Sequence, residues 1–176
     1  YQRAKRFADA EGVLREARAE APRSVRLAFQ LGATLERLRR FDEAEAVFRE
    51  ALQVEPDSPG VLNYLGYMNA NRGVKLEESL QLIQRALQLD PENGAYADSL
   101  GWALFRLGRF GEAEEPLRRA AEKQPGAVVL DHLGDLLKQL GRLSEAMDAW
   151  KRARTAEDED EELDRAELER KIQEGQ

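Results

Sequence analysis

The chain has 176 residues, 42% of them apolar with 13 glycines, and 27 basic against 34 acidic side chains give it a formal charge of −7. That inventory is globular, and 35% charged residues point to long solvated helical faces, which excludes disorder throughout. No apolar run approaches the roughly 20 residues of a membrane-spanning helix, and with no cysteine and a single histidine, His132, there is no disulfide framework, thiolate zinc site or cysteine nucleophile.

The acidity is unevenly placed. From Glu157 onward there are 10 acids and 3 bases, which leaves 24 of each sign in residues 1–156. Absence of cysteine suits an oxidising periplasm and a reducing cytoplasm equally. Beginning at Tyr1 with no Met and no signal-like segment, the sequence reads as a piece of a longer protein.

Taken in chain order, one spacing recurs. Ala10, Leu14, Ala17 and Pro22 are followed by Ala44, Phe48, Ala51 and Pro56, by Ser79, Ile83, Ala86 and Pro91, by Ala113, Leu117, Ala120 and Pro125, and by Ala146, Trp150, Ala153 and Asp158. A Leu-Gly pair precedes four of these sets, at Leu31-Gly32, Leu65-Gly66, Leu100-Gly101 and Leu133-Gly134, so the period is 33 to 35 residues. Small residues every three or four positions let paired helices approach closely, while the larger apolar residues a turn away fill the space between neighbouring pairs. Ser24, Ser58 and Asn93 stand where N-caps belong, Pro59 suits a first helical position, and Gly73, Gly108 and Gly141 fall where helices end. Two irregularities interrupt the pattern. The stretch Gly73-Val74-Lys75-Leu76 carries one extra residue, which predicts a longer turn, and Pro116 lies inside a helix, which predicts a mild bend.

These residues resemble the tetratricopeptide repeat, a helix-turn-helix unit of about 34 residues. The resemblance covers residues 1 to about 160 and implies an all-α fold, a right-handed α-solenoid closed by a C-terminal capping helix. It divides the chain into a half repeat at 1–24, repeats at 25–58, 59–93, 94–126 and 127–160, and an acidic cap or tail at 161–176. Tyr1 falls at the end of a first helix that would lie upstream. Without that helix Phe7, Ala10, Val13, Leu14 and Ala17 would be partly uncovered, and another copy of the chain could cover them. In the last segment Glu161 to Arg165 and Glu167 to Lys171 stand four apart in the favourable order for helical ion pairs.

Little catalytic chemistry is legible. Gly66, Gly101 and Gly134 recur at the repeat interval within helices and form no phosphate loop. Asp131, His132 and Asp135 are the nearest approach to a metal site, but with no second histidine or cysteine the expectation is a helix-surface or interhelix histidine bonded to a neighbouring carboxylate. We therefore expect no enzyme, no cofactor and no metal. Basic residues alternate with acids along every repeat, which argues against nucleic acid, and the acidic last helix argues against a membrane surface.

What remains is a surface for protein. The resemblance implies a concave groove lined by the first helix of each repeat, and at the matching positions stand Phe29, then Asn63, Tyr67 and Asn71, then Asp98, Trp102, Phe105 and Arg106, then Asp131 and Asp135. Aromatic anchors beside carboxylates suit a peptide or helix carrying apolar side chains and some Lys or Arg. The Lys and Asn clamp with which some tetratricopeptide domains hold a chaperone C-terminus is absent. Residues 60–155 are also similar to bacterial repeat proteins that include outer-membrane lipoproteins, some of them adaptors for a periplasmic processing protease. That similarity implies a non-enzymatic scaffold or adaptor in the periplasm or at the outer membrane, with a cytoplasmic scaffold or a self-assembling structural repeat protein as alternatives.

Overall fold

The computed structural model describes residues 2–156 and 163–175, with only the backbone of residues 2–5. Among these the chain is helical throughout: α1 (Gln2–Glu20), α2 (Val25–Arg37), α3 (Phe41–Val54), α4 (Pro59–Arg72), α5 (Leu76–Leu89), α6 (Gly94–Arg106), α7 (Phe110–Lys123), α8 (Ala127–Gln139), α9 (Leu143–Thr155) and α10 (Arg165–Glu174). The helices pack as antiparallel pairs, α2 with α3, α4 with α5, α6 with α7 and α8 with α9. The pairs stack so that α4 meets α6 and α6 meets α8, with α1 against α2 and α10 against α9. This is an α-solenoid.

The recurring glycines set the spacing within each pair. A Cβ added at Gly32, Gly66, Gly101 or Gly134 would lie closer than 3.0 Å to Phe48, Ile83, Leu117 or Trp150 respectively, all of which are fully buried. Ala44, Ser79, Ala113 and Ala146 are likewise 0% exposed, so small residues line both sides of each contact. Around these contacts lies a continuous apolar interior, with Leu31, Leu35, Phe48 and Leu65 in the first half and Leu117, Leu136, Trp150, Leu168 and Ile172 in the second. The period of the sequence is therefore the period of the packing.

The turns follow the same rule. Arg39, Gly73, Gly108 and Gly141 have φ between 60° and 74°, the left-handed residue that ends the first helix of each pair. The extra residue leaves both Val74 and Lys75 between Gly73 and α5, and Lys75, with φ 51°, is the cap residue whose carbonyl accepts from the Ser79 N–H. The longer turn leaves the Gly66–Ile83 contact in place. Ser24 accepts from the Leu27 N–H and Asn93 from those of Ala95 and Tyr96. Ser58 occupies the cap position of α4 but its side chain makes no cap hydrogen bond. There Pro59 already fixes the first helical φ and has no N–H to satisfy. Helix α7 runs through Pro116 without interruption.

The charged residues tie neighbouring pairs together on the outer side. Arg40 donates to Glu11 and Glu43, Lys75 and Arg49 to Glu45, and Arg118 and Arg142 to both Glu114 and Glu145. Partners in adjacent pairs are 27 to 30 residues apart in sequence. Each exposed pair is worth little alone, but the pattern explains why the repeat body is charge-balanced. At the start of the array Phe7, Ala10, Leu14 and Ala17 are half-buried and Val13 is 66% exposed, while Tyr1 lies outside the described residues.

The glycine contacts yield a paired test. Gly101→Ala should destabilise by about 1 to 3 kcal/mol, the cost of overpacking a filled site, because its new methyl would meet Leu117 and the Leu117 backbone nitrogen. Gly12→Ala, with nothing within 4 Å in α1, should stabilise by about 0.5 to 1 kcal/mol. Urea unfolding of the two variants beside the wild type measures both; equal and small effects would mean that the glycines do not set the helix spacing.

Candidate functional site

The first helices of successive pairs curve around an open cavity of about 960 Å³. Its walls come from α4, α6 and α8, with Glu36 and Arg37 of α2 at one end and Leu163, Asp164 and Lys171 at the other. Of the residues expected to line a groove, Asn63, Tyr67, Asn71, Asp98, Trp102, Asp131 and Asp135 share this cavity, whereas Phe29, Phe105 and Arg106 do not line it.

Each departure has a local cause. Phe29 packs against Phe48 at 6.1 Å and edge-on to Tyr64 at 5.3 Å between ring centroids, as part of the apolar interior. Phe105 stacks behind Trp102 at 4.9 Å and also meets Phe110. Arg106 donates to the Asn71 carbonyl at 2.5 Å, and its guanidinium carbon is 5.7 Å from the centre of the Trp102 ring. Phe29 and Phe105 thus hold the lining from behind, and Arg106 ties the end of α6 to the end of α4.

At the centre of the floor stands a buried polar group. His132 of α8 is 5% exposed and its Nδ1 donates to Asp98 of α6, itself 6% exposed, at 3.0 and 3.1 Å from the two carboxylate oxygens. The imidazole lies flat on the Trp102 indole, with centroids 4.0 Å apart and planes 11° from parallel, and Tyr67 of α4 is 6.3 Å away. Three consecutive first helices therefore converge on one histidine. Trp102 is 9% exposed, and its Nε1 has no hydrogen-bond partner among the described residues; the Asn63 Oδ1 is in the same condition. A buried donor or acceptor left without a partner costs about 1 to 3 kcal/mol, so both atoms mark polar groups that the packing of the floor leaves unsatisfied.

The acidic end of the cavity holds a residue that sequence reasoning assigned elsewhere. Lys171 was expected to pair with Glu167 along its own helix. Instead its ammonium donates to both oxygens of Asp131, at 2.8 and 2.9 Å, and to Asp135. Glu167 pairs with Arg170, and Glu161 lies outside the described residues. The reason is packing: Leu168 and Ile172 are 1% and 3% exposed, and seating them turns Lys171 toward α8. Asp164 caps α10 by accepting from the Glu167 N–H at 3.0 Å. Asp135 also accepts from the Trp150 Nε1 at 3.2 Å. With Asp98 on His132 and Lys171 on both other carboxylates, no group of three or more metal-ligating side chains stands ready for an ion among the described residues.

Ionisation follows this geometry. Burial alone would lower the His132 pKa, but the Asp98 carboxylate, with Asp131 and Asp135 beyond it, outweighs burial and raises it above the ordinary 6.5. Burial raises Asp131, helped by its neighbour Asp135 and opposed by Lys171. Burial also works against the Lys171 charge, but Asp135 and Asp131 prevail and hold its pKa above the usual lysine value.

A profile for the tetratricopeptide repeat matches residues 1–60, 30–94 and 72–128. The chain belongs to the tetratricopeptide repeat family. A TPR repeat-containing protein of Pseudomonas aeruginosa is 41% identical over 81 residues, which are 46% of this chain and 14% of that protein, so the chain spans a small part of its relative's length. Among solved structures, PilW, a widely conserved type IV pilus biogenesis factor, superposes with a TM-score of 0.81 at 24% identity, over 99% of this chain and 80% of its own. YrrB, a TPR protein with an unusual peptide-binding site, gives 0.65 at 18% identity over 92% and 81%. No helix among the described residues is long and apolar enough to cross a membrane.

The buried pair makes stability depend on pH. A histidine whose pKa is raised on folding stabilises fully below the unfolded value of 6.5 and loses that contribution as pH rises through the folded value. Asp98 on α6, Asp131 and Asp135 on α8, and the Lys171 ammonium beyond them are the charges around it. Wild-type unfolding free energy should fall as pH rises above 6.5, with a slope of at most about 1.4 kcal/mol per pH unit. His132→Gln, which keeps a donor for Asp98, should flatten that slope. Urea titrations at half-unit pH intervals read the difference, and parallel curves would remove His132 as its source.

Proposed function

We propose that this protein is a non-enzymatic interaction scaffold that holds a segment of a protein partner in its concave groove. The observation that carries the reading is the cavity itself, which gathers aromatic, amide and carboxylate side chains from α4, α6 and α8 around two buried polar atoms with no partner of their own. Aromatic surface beside amide and carboxylate side chains is the composition of a binding surface, since the rings supply area and the polar groups fix register. The balanced charge of the repeat body and its interleaved ion pairs give no basic stripe for phosphate. The peptide-binding site of YrrB, on the same architecture, supports a peptide as the occupant. We further propose an adaptor role in the bacterial cell envelope, on the similarity of residues 60–155 to envelope repeat proteins.

The test uses the intact protein in its own cells. Partners recovered by affinity capture from the wild type should be depleted about tenfold or more by Asn63→Ala with Tyr67→Ala in the groove, a loss of about 1.4 kcal/mol or more. Arg49→Ala on the outer helix α3 should leave recovery unchanged. Partners that survive the groove substitutions, in a protein that still unfolds cooperatively, would rule the groove out as the binding surface.

A further inference from the structure

The turns that join α2 to α3, α4 to α5 and α6 to α7 each carry two basic residues that behave differently. Arg40 pairs with Glu11 and Glu43, Lys75 with Glu45 and Arg109 with Glu112. Their companions Arg39, Arg72 and Arg106, at or just beyond the ends of α2, α4 and α6, make no ion pair among the described residues.

These three are gathered rather than spread apart. The Arg72 guanidinium carbon lies 4.4 Å from the centre of the Phe41 ring, and that of Arg39 lies 5.9 Å from the same ring. Arg106 reaches across the end of α4 to donate to the Asn71 carbonyl, and its Nη2 is 2.7 Å from where a Cβ on Gly73 would stand. It therefore covers the residues on both sides of Arg72. Arg39 and Arg72 are exposed, Arg106 is half-buried, and none of the three lines the groove cavity.

Packing does not require this arrangement. Like charges drawn onto one patch repel, and the negative ends of α2 and α4 offset some of that repulsion. They do not account for the backbone of Arg39. It holds φ at 60° where the three later turns have Gly73, Gly108 and Gly141, a conformation that glycine adopts without cost and an arginine does not. Strain kept at a residue whose side chain lies on an aromatic ring with no acid to meet points to a use for that side chain. A guanidinium carries its N–H donors in a planar fork that matches a carboxylate. Arg39 and Arg72 donate to no acceptor among the described residues, and Arg106 donates to one carbonyl.

We infer that this edge of the array is a second interaction surface, which holds an acidic protein segment by seating its Asp or Glu carboxylates on the guanidiniums of Arg39, Arg72 and Arg106. Phe41 keeps two of these groups in place, and the end of α4 keeps the third. A short segment fits better than a polyanion. Glu43, Glu45 and Glu112 stand beside the same turns, so a nucleic acid or an anionic membrane would bring phosphates against carboxylates as well as arginines. A segment of a few residues sets its acids on the guanidiniums alone.

Fluorescence anisotropy of a rhodamine-labelled peptide, Glu-Asp-Gly-Glu-Asp-Gly-Glu-Asp, with the full chain tests this. The peptide should bind at low ionic strength, weaken about tenfold between about 0.02 and 0.2 M salt, and fail to bind when its acids are replaced by Gln and Asn. Arg72→Gln should weaken it about threefold to fivefold, and the combination with Arg39→Gln and Arg106→Gln about tenfold or more. Arg23, Lys151 and Arg152 are also exposed and make no ion pair among the described residues. Changing all three to Gln removes the same charge and should cost less than about twofold. Arg39→Gly separates recognition from folding: it should raise the urea midpoint, because glycine suits the turn, while weakening the peptide about threefold. Asn63→Ala with Tyr67→Ala, in the groove, should leave the affinity unchanged. No binding at low salt, equal losses in the two triple variants, or tighter binding of a thymidylate dodecamer or phosphatidylglycerol vesicles through the same arginines would overturn the acidic segment as the occupant. Loss of binding in the groove variant would overturn this edge as its site.

Discussion

Everything in this molecule depends on the approach of a glycine on one helix to a large side chain on the next. Gly32 faces Phe48, Gly66 faces Ile83, Gly101 faces Leu117 and Gly134 faces Trp150, and in each case a single added methyl would overlap the partner. Close approach along that line buries one face of the first helix against the second, and it fixes which other residues of the first helix turn outward. Those residues, one turn away from the glycine, become the groove. Lys75 shows how firmly the contact is held: the longer turn puts the cap residue of α5 in a left-handed conformation, where a lysine has no intrinsic preference to be, and the Gly66–Ile83 contact is kept.

Between pairs the structure relies on a second kind of contact, in which polar groups rather than small residues set the fit. Asp98 and His132 bind α6 to α8 across the floor of the groove, with Trp102 stacked beneath. A buried ion pair contributes little net stability compared with an apolar pair of the same size, and its geometric demands are strict. Here it fixes the relative position of three first helices, and with it the spacing of the groove walls. Trp102 is both a packing residue and a lining residue: its faces are taken by His132 and Phe105, and the residue still borders the cavity.

How much could be read from the sequence follows from how local each interaction is. Packing within a pair involves residues 16 or 17 apart and repeats along the chain, so the fold, the helix ends at Gly73, Gly108 and Gly141 and the longer turn after Gly73 were legible, whereas the left-handed Arg39 was not. Groove positions were legible to the extent that a repeat position implies a direction, which places Asn63, Tyr67, Asn71, Asp98, Trp102, Asp131 and Asp135 on one cavity. The direction fails where a neighbour offers something better. Phe29 turns to Phe48 and Tyr64, Phe105 to the back of Trp102, and Arg106 to the carbonyl of Asn71. Lys171 was the least legible, because the period has ended before it and the only rule left, pairing four residues along a helix, points to Glu167.

That last failure is informative about the site. A helical Glu-Lys pair on an open surface is worth about 0.2 to 0.5 kcal/mol, so little holds Lys171 beside Glu167. Asp131 and Asp135 stand four apart on one face of α8 and are both mostly buried, and burial with the Asp135 charge beside it raises the cost of ionising Asp131. Ending the array with an apolar residue at position 171 would leave two such carboxylates facing one another with no counter-charge. The C-terminal helix therefore does two things with one turn of chain. Leu168 and Ile172 close the apolar interior, and Lys171, between them on the same face, supplies the cation that the acidic end of the groove requires. Helix α10 is therefore not a neutral lid, because the charge it supplies lies inside the groove that we propose holds a partner.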